Sequence, residues 1–519
     1  MLNLSDFLTR NAWRDPHGDA CIDPASGRRL THGALDDRAT RLASAIRGSL
    51  GLEPGDRIAI LSQNTAEYLE LYYASARAGT ITVPLNWRLS APELARILND
   101  ADPRAVIYAG AFDETAEELQ RRTTIDSWVR FAPGDDSPYE DLLAAAGDAP
   151  PAGADRFGDT DPVFILYTGG TTGVSKGVLH SHRSAWVAML NQDHTERVQP
   201  TDTYLLLGQM FHIPIVLAMN YLSRGRPVAL LNFEPRATLA TIEQERISGF
   251  LGVTTMLNYL LAVDGLEQYD LSSLRLVQYG GGPMGEDVVR EALERLPCDL
   301  QQGYGQTEGG TMSFLTAEVH REAASGIDTH RLRSCGREAH LSTLLVVDEQ
   351  GRQVPRDRET IGEIITRSEA NMLRYWNRPE ETAATIRDGW IHTGDLATWD
   401  GDGYLYIMDR KKEMIISGGE NIYPAQVENA LYRHPGVLEV AVIGVPDDTW
   451  GESVKAVVVT KPGAEVTEQD LIELARRELA SYMKPRSVDF VEELPRAPTG
   501  KLLKRELRER YRATPSDDA

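Results

Sequence analysis

A loop rich in glycine and hydroxyl residues is the segment of this sequence best suited to chemistry. It reads Tyr167-Thr-Gly-Gly-Thr-Thr-Gly-Val-Ser-Lys-Gly177 and directly follows the apolar run 163–166. Glycines let backbone amides approach a ligand closely, while hydroxyl donors and the Lys176 ammonium complement negative charge. The loop therefore predicts a polyphosphate site, with an ordinary glycine-rich surface loop as the alternative. The candidate phosphate-binding residues are Thr168, Gly169, Gly170, Thr171, Thr172, Gly173 and Lys176.

The spacing within this loop differs from two other glycine motifs. It is not a Walker A loop, because Ser175 rather than glycine precedes the lysine. Gly173-Val-Ser-Lys-Gly177 matches the nucleophile elbow of serine hydrolases, which needs its serine on a tight strand-to-helix turn. Here about eight loop residues separate the predicted strand from Ser175, and a further stretch precedes any helix. We interpret the match as chance, and a serine hydrolase remains an alternative that a fluorophosphonate label would test.

Four further segments accompany the loop and complete a recognisable set. They are Gly303-Tyr-Gly-Gln-Thr-Glu-Gly309, His392-Thr-Gly-Asp395, Asp409-Arg410 and Pro495-Arg-Ala-Pro-Thr-Gly-Lys501. In order and spacing, over roughly residues 10 to 510, the five segments resemble the motifs of the adenylate-forming (ANL) superfamily. That superfamily comprises acyl- and aryl-CoA synthetases, peptide-synthetase adenylation domains and beetle luciferases. The chain resembles the acyl-/aryl-CoA synthetase branch, which includes fatty-acyl-CoA ligases and 4-coumarate:CoA ligases.

The resemblance implies a nucleotide site. Asp395 would accept hydrogen bonds from both ribose hydroxyls, a task that suits a carboxylate, and Arg410 would also meet the ribose. Tyr304 would offer a flat face to adenine. A turn aspartate and a buried core tyrosine are the structural alternatives for Asp395 and Tyr304. The turn of Gly280, Gly281, Gly282 and Pro283 follows the predicted strand Leu274 to Gln278 at its carboxyl end, and by the resemblance it would line the adenine and acyl pockets.

The resemblance also implies the catalytic residues. Thr307 would bond the α-phosphate, and Glu308 would supply a hard oxygen for Mg²⁺. His212 would lie against the carboxylate substrate, with a packing histidine as the alternative. Lys501 would bridge the carboxylate and the α-phosphate in the adenylation transition state. Without the motif, Glu308 and Lys501 would be interpreted as solvated surface charges.

A second half-reaction is implied by the segment Ile416-Ser-Gly-Gly-Glu-Asn-Ile-Tyr-Pro424. Gly418 and Gly419 would leave a backbone-walled tunnel for the pantetheine of CoA. Lys412 matches the hinge at which family members rotate the small domain between half-reactions.

The elements that must position these residues follow an α/β pattern. From about Asp56, short β-branched runs alternate with helical patterns, which predicts a largely parallel, buried sheet. Within it, Ala66 to Ala78 is predicted as a helix with aromatic residues on one face. After about Leu341, strand pairs joined by glycine turns predict a small antiparallel subdomain. The fold class is therefore α/β: a large adenylation domain over residues 1–410 and a small mobile α+β domain over residues 411–519.

Composition excludes several classes of protein. The 519 residues contain 54 Lys plus Arg and 77 Asp plus Glu, a formal charge of −23, which disfavours nucleic acid and anionic membranes as partners. Three cysteines without a CxxC pair fit a reducing compartment. We find no signal peptide and no apolar run of the ~20 residues that spanning a membrane takes, so we expect a cytoplasmic protein. His180 and His182 lack a third nearby ligand, so we interpret them as loop residues.

The sequence thus predicts an ATP-dependent acyl- or aryl-CoA ligase that uses ATP, Mg²⁺ and CoA. A different acceptor (a carrier protein, an amine or nitrite, as in diazotases) remains an alternative, as does a regulatory nucleotide-binding protein with lapsed catalysis. Fatty acids and cinnamate- or benzoate-like acids are comparable candidates for the substrate. Two partners are left open: a second copy of the chain in a homodimer, and a lysine acetyltransferase acting on Lys501.

Overall fold

The computed structural model describes residues 3–132, 137–168, 175–282, 284–410, 413–417, 420–447, 449–496 and 502–512. Its helices are α1 (Asp6–Arg14), α2 (His32–Arg47), α3 (Ala66–Ala78), α4 (Ala91–Ala101), α5 (Asp113–Arg122), α6 (Pro138–Ala145), α7 (His182–Glu196), α8 (Pro214–Ser223), α9 (Pro235–Gln244), α10 (Thr254–Leu261), α11 (Glu286–Arg295), α12 (Ala317–Ala324), α13 (Pro379–Thr385), α14 (Pro424–Leu431), α15 (Glu468–Glu478) and α16 (Lys504–Arg512).

The strands lie between these helices. They are β1 (Asp19–Asp23), β2 (Arg28–Thr31), β3 (Arg57–Leu61), β4 (Ile81–Leu85), β5 (Ala105–Ala109), β6 (Ser127–Phe131), β7 (Pro162–Thr168), β8 (Lys176–Ser181), β9 (Tyr204–Leu206), β10 (Val228–Leu230), β11 (Gly249–Gly252), β12 (Leu276–Gly280), β13 (Asp299–Gln306), β14 (Gly310–Leu315), β15 (Arg337–Glu338), β16 (Ser342–Val347), β17 (Gly362–Ser368), β18 (Arg374–Tyr375), β19 (Ile386–Arg387), β20 (Trp390–Trp399), β21 (Leu405–Arg410), β22 (Ile415–Ser417), β23 (Glu420–Ile422), β24 (Val437–Asp447), β25 (Gly451–Thr460) and β26 (Ser487–Phe490).

The chain divides into two compact units. The first contains Met1–Gly170, Val174–Leu344 and Thr366–Ile391, and the second contains Thr171–Gly173, Leu345–Ile365 and His392–Ala519. The boundary that we predict after residue 410 falls within the second unit and stays a prediction.

Two large sheets with parallel centres form the first unit. One has the strand order β18-β8-β7-β4-β3-β5-β6, and the other β15-β14-β13-β12-β11-β9-β10-β1-β2. In the first sheet the run β7-β4-β3-β5-β6 is parallel, and in the second the run β13-β12-β11-β9-β10-β1 is parallel. The strands outside these runs pair antiparallel. The predicted α/β pattern is therefore confirmed.

Burial on both faces explains why the strands of the seven-stranded sheet read as continuous apolar runs. In β3, Ile58 and Ile60 join one hydrophobic cluster, while Ala59 and Leu61 join the cluster on the opposite face. Helix α3 belongs to the first of these clusters, and all of its residues are buried. The predicted bounds of α3 are confirmed, and its aromatic residues, Tyr68, Tyr72 and Tyr73, all belong to this first cluster.

The antiparallel subdomain is a sheet of order β16-β17-β20-β19 with β21 paired to β20. A smaller sheet of order β23-β22-β25-β24, with β26 parallel to β25, forms the core of the C-terminal part of the second unit. One of its faces carries the cluster that includes α14 and α15, and the other carries Leu507 of α16. None of the helices in the described part of the chain has the length and apolarity needed to cross a membrane.

Candidate functional site

A tight hairpin presents Thr307 and Glu308 between β13 and β14. The strands pair antiparallel with a register shift after Tyr304. A Cβ on Gly305 would lie 2.0 Å from the Gly310 carbonyl oxygen, and Gly310 itself has a φ of +64°. Such a close approach and a left-handed backbone both favour glycine. The glycines of this motif therefore shape the turn, and Tyr304, Thr307 and Glu308 lie half-buried along it.

His180 ties strand β8 to this hairpin. Its Nε2 lies 2.8 Å from the Thr307 carbonyl oxygen, and its Nδ1 lies 3.2 Å from the Ser184 hydroxyl. Because a carbonyl can only accept, Nε2 carries the proton of this hydrogen bond. Burial lowers the pKa of His180 to about 4, so the ring is neutral at physiological pH. The interpretation of His180 as a loop residue was wrong: it is a buried strand residue that fixes the Thr307 backbone.

His182 was also wrongly interpreted as a loop residue. It is the buried first residue of α7, and its Nδ1 accepts a hydrogen bond of 3.0 Å from the amide of Leu4. Within the described ranges, no group of three His, Cys, Asp or Glu residues could hold a metal ion.

Glu308 contacts a tyrosine that the sequence analysis missed. The Tyr375 hydroxyl donates to Glu308 Oε1 at 2.6 Å, and the Met372 amide donates to the Glu308 carbonyl at 2.7 Å. The Lys176 ammonium lies 4.9 Å from the centroid of the same tyrosine ring. The phosphate-loop lysine and the candidate metal ligand therefore share one aromatic neighbour. No local pattern marked this tyrosine, because its contact with Glu308 joins residues 67 positions apart in the sequence.

Strand pairing carries Tyr375 to this place. Residues Arg374 and Tyr375 form β18, which pairs antiparallel with β8, and the Trp376 amide donates to the Gly177 carbonyl at 2.7 Å. A Cβ on Gly177 would lie 2.7 Å from Ile165 Cγ2 and 3.2 Å from Trp376 Cβ. Gly177 thus serves close packing between strands.

The glycine turn lies at the carboxyl end of β12, as predicted. Gly280 pairs with Gly303 of the neighbouring parallel strand, and a Cβ on Gly280 would lie 2.5 Å from the Gly303 carbonyl oxygen. Gly281 has a φ of +78°, and both Gly281 and Gly282 are exposed. Open sheets of this type bind ligands at the carboxyl ends of their strands.

His212 lies in the connection between β9 and α8, after the end of a parallel strand. Its ring lies beside Phe211, with 5.1 Å between the ring centroids, and its amide donates to the Gln209 carbonyl at 3.1 Å. Burial, with a smaller effect from the Arg88 charge, lowers the pKa of His212 to about 4. A neutral imidazole can approach a substrate carboxylate as a hydrogen-bond donor without a salt bridge.

In the second unit, Asp395 and Arg410 occupy paired positions on β20 and β21. Arg410 Nε lies 3.1 Å from Asp395 Oδ1, and the Asp395 side chain is only 5% exposed. The structure therefore brings together the two residues expected to meet the ribose. A carboxylate with one oxygen in an ion pair keeps lone pairs for further donors.

Ser175 does not stand on a nucleophile elbow. The next residue, Lys176, begins strand β8, so a strand follows the serine where an elbow requires a helix. Thr168 ends β7, and its hydroxyl donates to the Lys176 carbonyl at 3.5 Å. The predicted site residues outside the described part of the chain are Gly169, Gly170, Thr171, Thr172, Gly173, Pro283, Lys412, Gly418, Gly419 and Lys501.

Comparison with known proteins agrees with this fold. The AMP-binding enzyme family matches residues 8–376, and the AMP-binding enzyme C-terminal domain matches residues 426–501. The chain is 37% identical over 523 residues to the long-chain-fatty-acid–CoA ligase FadD13 of Mycobacterium tuberculosis, with 99% of each chain covered. It is 37% identical over 514 residues to the feruloyl-CoA synthase of an Amycolatopsis species, covering 98% of this chain and 99% of the relative.

A solved structure gives the same result. ATP-bound MatB from Rhodopseudomonas palustris superposes with a TM-score of 0.88 at 30% identity, covering 98% of this chain and 99% of that one. Fold and site together define an adenylate-forming enzyme. The chain belongs to the AMP-binding enzyme family, and within it to the ATP-dependent, AMP-forming acyl- and aryl-CoA ligases. Its co-substrates are ATP and CoA.

Proposed function

We propose that adenylation takes place beside the Glu308 hairpin. A carboxylic acid attacks the α-phosphate of ATP, forming acyl-AMP and releasing pyrophosphate, and the CoA thiol then displaces AMP to give the thioester. The observation that carries this proposal is the cluster in which Tyr375 contacts both Glu308 and Lys176. A cation for phosphate oxygens and a carboxylate for a metal are the two charges that phosphoryl chemistry needs.

Glu308 fits a magnesium site. Mg²⁺ prefers oxygen ligands and is often held by one or two carboxylates together with substrate phosphates. Glu308 is half-buried, and its carboxylate is oriented by the Tyr375 hydroxyl. When bound, the ion would supply charge neutralisation for the departing pyrophosphate.

The other described residues take roles that agree with their positions. Thr307, whose backbone is fixed by His180, bonds the α-phosphate, and Tyr304 on the same hairpin faces the adenine. Asp395 and Arg410 bind the ribose hydroxyls as a pair. His212 lies against the substrate carboxylate, and Gly281 and Gly282 line the pocket with Pro283. Thr168 and Lys176 act with the loop of residues 169–173 on the phosphates.

Two half-reactions divide the remaining roles. Lys501 serves adenylation, whereas Gly418 and Gly419 admit pantetheine after residues 411–519 rotate at Lys412. The gap between the two family matches, residues 377–425, supports a junction in this region.

Variants at these positions test the division. Lys501→Ala should lower acyl-AMP formation by about 100-fold or more, because one transition-state charge contact is lost, while thioester formation from pre-made acyl-AMP survives. Gly419→Leu should do the reverse. Lys412→Pro should keep pyrophosphate exchange and lose thioester formation, since proline fixes φ near about −65°. Equal loss of both half-reactions in all three variants would contradict the rotation.

The substrate is an extended-chain or flat aromatic acid. In support, the two relatives are named for long-chain fatty acids and for a feruloyl group. A panel of carboxylic acids, scored by pyrophosphate release with and without CoA, tests this assignment. If acyl-AMP persists with CoA but is consumed by an amine, nitrite or a carrier protein, that other acceptor is the correct one.

We further propose that the enzyme works in the cytoplasm, forms a homodimer and is regulated by acetylation of Lys501. The first proposal is supported by Cys21, Cys298 and Cys335, none of which forms a disulfide bond. Light scattering tests the second. Acetylation would remove the Lys501 charge, and mass spectrometry after incubation with an acetyltransferase tests the third: an unmodified Lys501 would reject it.

A further inference from the structure

Tyr375 makes two contacts of opposite electrostatic character. Its hydroxyl donates to Glu308 Oε1 at 2.6 Å, a length typical of a hydrogen bond to an ionised oxygen. Its ring receives the Lys176 ammonium at 4.9 Å, within the range of a cation–π contact. One buried side chain therefore holds both charged groups of the proposed phosphate site.

The hydroxyl is suited to orienting the carboxylate. A tyrosine hydroxyl has one hydrogen to donate, and the 2.6 Å contact directs it to Glu308 Oε1, so the phenol acts as the donor. An ionised carboxylate has about four lone-pair sites. With one of them directed to Tyr375, the carboxylate is fixed in rotation and retains sites for a cation.

The ring is suited to keeping Lys176 away from Glu308. Among the ion pairs formed by the described residues, none joins these two side chains. A lysine and a glutamate in direct contact would neutralise each other and offer little to a ligand. A lysine held over an aromatic face keeps its full charge.

The backbone around Tyr375 is held firmly enough for this role. The Trp376 indole donates to the Asp100 carbonyl at 3.1 Å, and the Trp376 amide donates to Gly177. Tyr375 itself pairs with Val178 of β8, so the strand on one side and the anchored Trp376 on the other hold the Tyr375 backbone. The Met372 amide also fixes the Glu308 backbone at 2.7 Å.

We propose that Tyr375 is a positioning residue for MgATP: its hydroxyl orients Glu308 toward the metal, and its ring separates Lys176 from that carboxylate. The inference rests on the proposed roles of Glu308 and Lys176. It adds a residue to which the motifs of the sequence analysis assign no role.

Tyr375→Phe tests the hydroxyl alone, because phenylalanine keeps the ring under Lys176. We expect the Mg²⁺ concentration for half-maximal pyrophosphate exchange to rise about tenfold, the usual effect of losing a hydrogen bond to a charged group. Binding of Mn²⁺ to the enzyme–ATP complex, followed by electron paramagnetic resonance, should weaken by a similar factor. ATP binding measured by calorimetry in excess EDTA should stay unchanged.

Tyr139→Phe is the matched control. The Tyr139 hydroxyl also donates to a glutamate, Glu70, at 2.6 Å, in a buried cluster that has no part in the proposed site. This variant should lose thermal stability and keep the wild-type Mg²⁺ and Mn²⁺ responses. If both phenylalanine variants shift the metal response equally, the proposal is wrong.

Tyr375→Leu removes the ring as well. Because Lys176 then loses its aromatic support, we expect weaker ATP binding in EDTA, by about fivefold, in addition to the metal effect. If Tyr375→Leu and Tyr375→Phe behave alike, the ring has no role in holding Lys176.

Glu308→Gln separates the two levels of inference. If it leaves the Mn²⁺ affinity unchanged, the proposed role of Glu308 fails. If it abolishes Mn²⁺ binding while Tyr375→Phe matches the wild type, only the positioning role of Tyr375 is overturned.

Discussion

Two Tyr–Glu pairs in the first unit have the same hydrogen-bond length and different surroundings. Tyr139 and Tyr375 each donate to a glutamate at 2.6 Å. Glu70, the acceptor of Tyr139, is fully buried and is paired with Arg38 at 2.7 Å. Glu308 is half-buried, and the nearby Lys176 lies over the tyrosine ring.

The two pairs differ in the position of the nearest positive charge. In the Glu70 cluster, Arg38 also pairs with Glu140 at 2.6 Å, so every charge has a partner and the cluster is closed to ligands. Among the ion pairs of the described residues, none joins an arginine to the Glu308 carboxylate. A buried carboxylate that is paired with an arginine stabilises the fold. A carboxylate without such a pair, at the end of parallel strands, can bind a ligand.

The largest expected effect comes from removing the arginine of the Glu70 cluster. Arg38→Met leaves Glu70 buried without its main partner, which should cost about 3–5 kcal/mol of stability. The midpoint of urea unfolding of this unit measures the loss, and adenylation per folded molecule should not change. Arg41→Met, on the same helix, removes an exposed pair with Asp37 and should lower the unfolding midpoint far less. Equal losses would refute the comparison.

At Glu308 we expect the opposite result, a loss of activity without a loss of stability. Glu308→Gln keeps the shape of the side chain and removes the charge, so adenylation should fall about 100-fold while the unfolding midpoint stays near that of the wild type. Pyrophosphate exchange and urea unfolding measure the two properties. Glu369→Gln, at an exposed position, is the control and should change neither. A large stability loss in Glu308→Gln would make it a structural residue like Glu70.

A smaller effect is expected from changing Lys176. Lys176→Met should raise the KM for ATP about tenfold, since one charge contact to the phosphates is lost, with a smaller change in stability. Lys176→Arg should recover part of the affinity because arginine also stacks on aromatic rings. Steady-state pyrophosphate release measures both. An unchanged KM in Lys176→Met would remove the lysine from the site.

The smallest effect concerns a third carboxylate, the buried Glu196, which accepts hydrogen bonds from the side-chain amides of Gln192 and Asn220. Burial raises its pKa from 4.5 to about 8, against the lowering effect of Gln192 and Tyr221. Because the unfolded chain releases this proton first, stability should fall as pH rises from about 4.5 to about 8. Glu196→Gln cannot ionise, so its Tm should decline by a few °C less than that of the wild type over this range. Parallel Tm profiles would contradict the raised pKa.

Much of the fold and part of the site could be predicted from the sequence. The βαβ rhythm follows from local periodicity, and the turn at Gly280 was placed correctly at the end of a strand. Local patterns suffice for these features, because alternation, glycine and chain reversal are set by residues close in sequence. The chemistry expected of Asp395 and Arg410 also agrees with their pairing on β20 and β21.

Tyr375 and His180 could not be found in this way. Tyr375 reaches Glu308 across 67 positions because β18 pairs with β8, and His180 reaches Thr307 across 127 positions. The sequence by itself indicated which segments are candidates for phosphate chemistry and which form strands and helices. Only the tertiary structure decided which tyrosine orients Glu308 and which glutamate forms an ion pair with an arginine. The reason is that strand pairing and burial join residues that no local pattern connects.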